Sequence, residues 1–72
     1  MSPVTDTELE TRFTYHPPKS EQVELYHELR QTARIFAAQI ITCTPESREQ
    51  SLALTALEEA VMWANAAIAR RS

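Results

Sequence analysis

The chain has no glycine and only one cysteine in 72 residues. Both the P-loop and the GxGxxG dinucleotide turn need backbone without a Cβ to approach phosphate closely, so neither is present. Phosphate must then be recognised by side chains or helix N-termini. Cys43 alone cannot make an internal disulfide or a cysteine-based zinc site within one chain, which fits a reducing compartment. Positive charge is also short. A net charge of −3 argues against long nucleic acid as a partner, though not against a small anion. Met1 to Arg12 carries Asp6, Glu8 and Glu10 without an apolar run, so it reads as neither a signal peptide nor a membrane span. These absences predict a soluble cytoplasmic protein with no membrane partner. It is expected to be a single domain over 1–72, too small for a self-sufficient core without disulfide, metal or oligomerisation.

What the chain does have is helical periodicity. From Ser20 to Thr42, Tyr26, Leu25, Leu29, Ala33, Phe36, Ala37 and Ile40 gather within about 120° of a helical wheel, one apolar stripe. From Pro45 to Arg71 the apolar residues spread much wider. Leu52, Ala53, Leu54, Ala56, Leu57, Ala60, Val61, Trp63, Ala64, Ala67 and Ile68 fill about 200°, twice what packing on one side requires. The expected fold is all-α: two long antiparallel helices, about 20–42 and 45–71, joined by a short connection. His16-Pro17-Pro18 forces extended backbone before them. Ser20 is the expected N-cap of the first long helix, and Thr44-Pro45 the expected start of the second. The preceding arm, 1–19, is a short helix or an extended segment, with Thr5 and Glu8 spaced as a capping box. One neighbour cannot cover the wide arc of the second helix, so its remainder is expected to meet further copies of the chain.

Three patches carry chemistry. His27, Arg30 and Arg34 lie within about 60° of one another on one flank of the first stripe, while Thr32 lies on the other flank with Gln39. The arginines either pair with glutamates and solvate the helix or meet an anion at a subunit boundary. Arg70 and Arg71 end the second helix, where they suit the negative dipole, or Arg71 is held to bind an anion where subunits meet. Third, Phe13-Thr14-Tyr15-His16-Pro17-Pro18-Lys19 puts aromatic rings on a rigid segment, a good base-stacking platform. Phe13 is expected to close the end of the hairpin and Tyr15 to be the ligand contact.

Catalysis finds little support. Glu24-x-x-His27 matches half of a di-iron bundle motif, yet both residues lie outside the apolar stripe, and Glu58 and Glu59 lie outside the second arc. No metal site or cofactor is indicated. Neither histidine has a sequence-evident nucleophile or paired carboxylate, so the chain does not read as an enzyme.

The string from Phe13 to Lys19, then Tyr26-x-x-Leu29-Arg30, then Ser51 to Arg70 with its Met62-Trp63-Ala64-Asn65-Ala66-Ala67-Ile68-Ala69-Arg70 run, resembles the helical-hairpin family of phage cyclic-oligonucleotide sponges. These are the anti-CBASS sponges and the related hairpin of an anti-Thoeris sponge. The resemblance spans residues 13 to 71. It implies a homohexamer in the infected bacterial cytoplasm that sequesters cyclic di- and trinucleotide messengers without cleaving them. It assigns cyclic dinucleotide binding to Tyr15, stacking on a base, and Arg30, meeting phosphate, with His16, Lys19 and Arg34 beside them. It assigns cyclic trinucleotide binding to Thr32 and Arg71, with Arg70 alongside. A twofold axis would pair two Tyr15 and two Arg30 on a cyclic dinucleotide, and a threefold axis would gather three Thr32 and three Arg71. The competing class is a small helical adaptor that buries its arc against a different protein and holds no nucleotide.

Overall fold

The computed structural model describes residues 4–72, so Met1 to Pro3 of the predicted arm lie outside the described residues. Three helices follow in order: α1 (Asp6–Phe13), α2 (Ser20–Cys43) and α3 (Arg48–Arg71). The arm is thus a short helix followed by extended backbone. Thr5 caps α1 by accepting the Glu8 backbone N–H at 3.1 Å. The return half of the expected capping box is not made, because the Glu8 carboxylate turns to Arg12 and Arg71 instead.

Both long helices differ from expectation at their starts. The N-cap of α2 is Lys19 rather than Ser20, because the Gln22 side chain reaches back to accept the Lys19 backbone N–H at 3.1 Å. Helix α3 starts at Arg48 rather than Pro45. Ser47 supplies its cap, accepting the Gln50 backbone N–H at 3.1 Å, while the Thr44 hydroxyl donates to Ile40 O and closes α2. Thr44 therefore ends one helix instead of opening the next. The Gln50 amide ties the two ends together by donating to Thr44 O and Oγ1 at 3.2 and 3.1 Å.

Helices α2 and α3 are antiparallel. The Gln22 amide, near the start of α2, donates to Ile68 O at 3.1 Å near the end of α3. Between those levels the half-buried positions include Tyr26, Leu29, Ala33, Ala37 and Ile40 on α2 and Gln50, Leu54, Leu57, Val61, Ala64 and Ile68 on α3. Their three- and four-residue steps are those of a helix–helix packing seam. The seam uses half of the α3 arc. Leu52, Ala53, Ala56, Ala60, Trp63 and Ala67 remain exposed, as do Leu25 and Phe36 on the adjoining side of α2.

As a result the chain has no buried apolar side chain among the described residues, and Gln22, at 4% exposure, is the buried one. Its overall extents are 46 × 34 × 15 Å and its radius of gyration is 15.7 Å, against about 11 Å for a compact chain of this length. It exposes 6131 Å², whereas a compact monomer of this mass exposes about 4500 Å². The surplus of about 1600 Å² equals two standard interfaces at about 800 Å² per partner. By length and composition α3 is also long and apolar enough to cross a bilayer. Glu58 and Glu59 lie near the middle of that helix, and a charge at mid-bilayer costs a few kcal/mol.

Candidate functional site

The seam divides the side chains of the hairpin between its two broad faces. Helical spacing sends Arg30, Arg34 and His27 to one face of α2, and Thr32 and Gln39 to the other. The predicted opposition of the two flanks follows directly. On α3, Arg71 shares the angular sector of Ala53, Ala60 and Ala67, so it belongs to the apolar face with Thr32. Thr32 lines a shallow groove of about 250 Å³ on that face, with Leu29 and Phe36 of α2 and Leu57, Ala60 and Ala64 of α3 among its walls.

The proline-bounded segment stands clear of the hairpin. Tyr15 is 80% exposed and Phe13 82%. The expectation that Phe13 closes the hairpin end fails for the protomer, because α1 docks through its charged residues and leaves the ring outward. His16 is half-buried. Its Nε2 lies 2.7 Å from Thr11 O, and since a carbonyl can only accept, Nε2 carries the proton there. That bond bends the chain back onto α1. Lys19 donates from Nζ to Ser72 O at 3.3 Å, across the hairpin's open end.

Within one protomer the residues assigned to each pocket are not gathered. Arg30 stands about 15 Å along α2 from Ser20 at 1.5 Å per residue, while Tyr15 precedes that helix. Arg30 and Arg34 are exposed and make no ion pair among the described residues. Thr32 lies about 15 Å along the axis from the level of Gln22, which is also the level of Ile68 to Ser72. Thr32 and Arg71 thus stand at different levels of the hairpin.

The densest cluster of charge and aromatic surface lies where α1 meets the last turns of α3. There Glu8, Arg12, Phe13, Trp63, Arg70 and Arg71 line a groove of about 560 Å³, within the range of small-molecule sites. Arg71 grips Glu8 with both terminal nitrogens, at 2.8 and 3.3 Å, and Arg12 Nε donates to the same carboxylate at 3.2 Å. Arg70 donates to Arg12 O at 3.4 Å. Hydrogen bonds from Arg71, then from Arg12, hold the Glu8 carboxyl below its ordinary range, and Glu8 in turn holds Arg71 above its own. Of these residues, sequence reasoning singled out Arg70 and Arg71 for a ligand. It missed the parts played by Glu8, Arg12 and Trp63, because the 63-residue separation of Glu8 from Arg71 leaves no local signal.

For metal chemistry, no group of three or more His, Cys, Asp or Glu side chains is placed to share an ion among the described residues. Comparison with known families gives one match: the family described as Acb2/Tad1, hairpin domain, covers residues 5–69. Among curated proteins and solved structures, none matches the chain.

Proposed function

The chain belongs to the Acb2/Tad1 hairpin-domain family, and from that membership we propose that it is a phage-encoded sponge: it binds and sequesters cyclic di- and trinucleotide messengers of CBASS immunity in the infected bacterial cytoplasm and does not cleave them. The observation that carries this reading is the family match over nearly the whole chain. The exposed surface supports the oligomer it requires. A protomer with no buried apolar side chain among the described residues and about two interfaces' worth of surplus surface suits a homohexamer in which every subunit touches one neighbour across a twofold axis and others around a threefold.

In that assembly Tyr15 and Arg30 from two protomers face the two halves of a cyclic dinucleotide, ring on base and guanidinium on phosphate. His16, Lys19 and Arg34 border that pocket. Thr32 and Arg71 from three protomers surround a cyclic trinucleotide, with Arg70 alongside. The roughly 15 Å of helix between Thr32 and the level of Arg71, and between Arg30 and the start of α2, suits pockets completed by a second copy. Retention rather than turnover is expected, since nothing in either set combines a nucleophile with a base.

Native mass spectrometry of the purified chain tests the reading. A hexamer carrying nucleotide mass, which denaturation releases as intact cyclic ligand, supports it. Linear or mononucleotide products would make the protein a nuclease. An empty monomer or dimer that cyclic nucleotides do not bind would make it a helical adaptor.

A further inference from the structure

The groove between α1 and the end of α3 concentrates charge against the trend of the whole molecule. Its three arginines and one carboxylate sum to +2, on a chain of net charge −3. The carboxylate, Glu8, sits where an anionic ligand would sit. It fills the bidentate fork of Arg71 and accepts from Arg12, and such forks take carboxylate and phosphate by the same geometry. The pairing is partly open to solvent, with side-chain exposures of 55% for Arg71 and 28% for Glu8. Pairs of that kind are weak and readily exchanged.

The same groove offers ring surface. Trp63 is 59% exposed, and its indole N–H is already satisfied by Glu59 Oε1 at 3.2 Å. What remains for a partner is the ring itself, which suits stacking rather than hydrogen bonding. Phe13, contributed by α1, lines the same groove. We propose that this groove binds a phosphorylated nucleoside unit within one protomer, its phosphate displacing Glu8 from Arg71 and Arg12 and its base stacking on Trp63, so that Glu8 acts as an internal competitor of the ligand. The inference rests on the sponge reading and deepens it. Arg71 enters that reading through the family resemblance, whereas Glu8, Arg12, Phe13 and Trp63 join it through the docking of α1.

The chain contains a single tryptophan, so its fluorescence reports on this groove. Wild-type protein and Glu8→Gln are titrated with cyclic triadenylate and, separately, with cyclic diadenylate, each followed by calorimetry and by Trp63 emission. The expected result is that the trinucleotide binds and quenches Trp63, and that Glu8→Gln tightens its binding about two- to fivefold, the competitor being a surface ion pair. Were Glu8 a structural clamp alone, the variant would bind equally or more weakly, which overturns the inference. Calorimetric trinucleotide binding with unchanged Trp63 emission also overturns it and leaves the sponge reading intact, as does binding of the dinucleotide alone. If the wild type binds neither cyclic nucleotide, the sponge reading falls and the inference with it.

Discussion

Replacing Ala60 by glutamate tests the assembly with the least disturbance of the protomer. Ala60 is exposed and lines the shallow groove on the apolar face, between Thr32 and Leu29 of α2 and Leu57 and Ala64 of α3. Alanine at 53, 60 and 67 forms a line of small side chains along α3 that lets a neighbouring helix approach closely. In the isolated hairpin the substitution costs a few tenths of a kcal/mol, since glutamate is a good helix former and the site faces water. Across a subunit boundary it buries an unpaired carboxylate, which costs about 3–5 kcal/mol for each copy. Three kcal/mol raises a dissociation constant about 150-fold, and closed symmetry repeats the penalty in every subunit. Sedimentation velocity should therefore show the wild-type oligomer split into smaller species, while circular dichroism shows helix content retained. A variant that sediments as the wild type does would refute the assignment of this face to the interface.

The two faces of α2 predict separable pockets. Tyr15→Ala and Arg30→Ala should each weaken cyclic dinucleotide binding by about 1–3 kcal/mol and barely change trinucleotide binding. Arg71→Ala should do the reverse, and calorimetry on variants first shown to remain assembled checks both. Acid should release α1. Because the folded-state pKa of Glu8 is depressed, its contribution is complete above the ordinary carboxylate pKa and is lost as pH falls through the lower folded value. Trp63 emission should change on acidification below about pH 4, with the change reduced by salt and absent in Glu8→Gln. At the hairpin's open end, Gln22→Ala removes the amide that is 4% exposed and donates to Ile68 O. It should cost about 1 kcal/mol, seen as a lower Tm at fixed protein concentration, and an unchanged Tm would deny Gln22 its role in holding the ends together.

Much of this architecture is written locally in the chain. The apolar steps of Tyr26, Leu29, Ala33 and Ile40, and of Leu54, Leu57, Val61, Ala64 and Ile68, define two helices and the seam between them, because helical periodicity is a property of short segments. The absence of glycine excluded phosphate loops, and the excess arc of α3 announced surface that one partner helix leaves uncovered. The division of Arg30 from Thr32 also follows from the wheel alone. Helix ends were less legible. Ser20 and Thr44 look like caps by residue type, but Gln22 gave that role to Lys19 and Ser47 took it for α3, since capping depends on which of several adjacent polar side chains reaches the free N–H groups.

Tertiary structure alone decided where α1 lies. Thr5 to Phe13 carries no apolar stripe that would dictate its docking, and Glu8 lies far from Arg71 in sequence, so charge pairing rather than hydrophobic pattern brings them together. Such pairing has no period along the chain. It is specified by the closed hairpin, which sets the end of α3 beside the segment leading into α2, and by the Thr11–His16 bond that turns the chain back. Phe13, Trp63 and the arginines consequently line one groove only after the helices have packed.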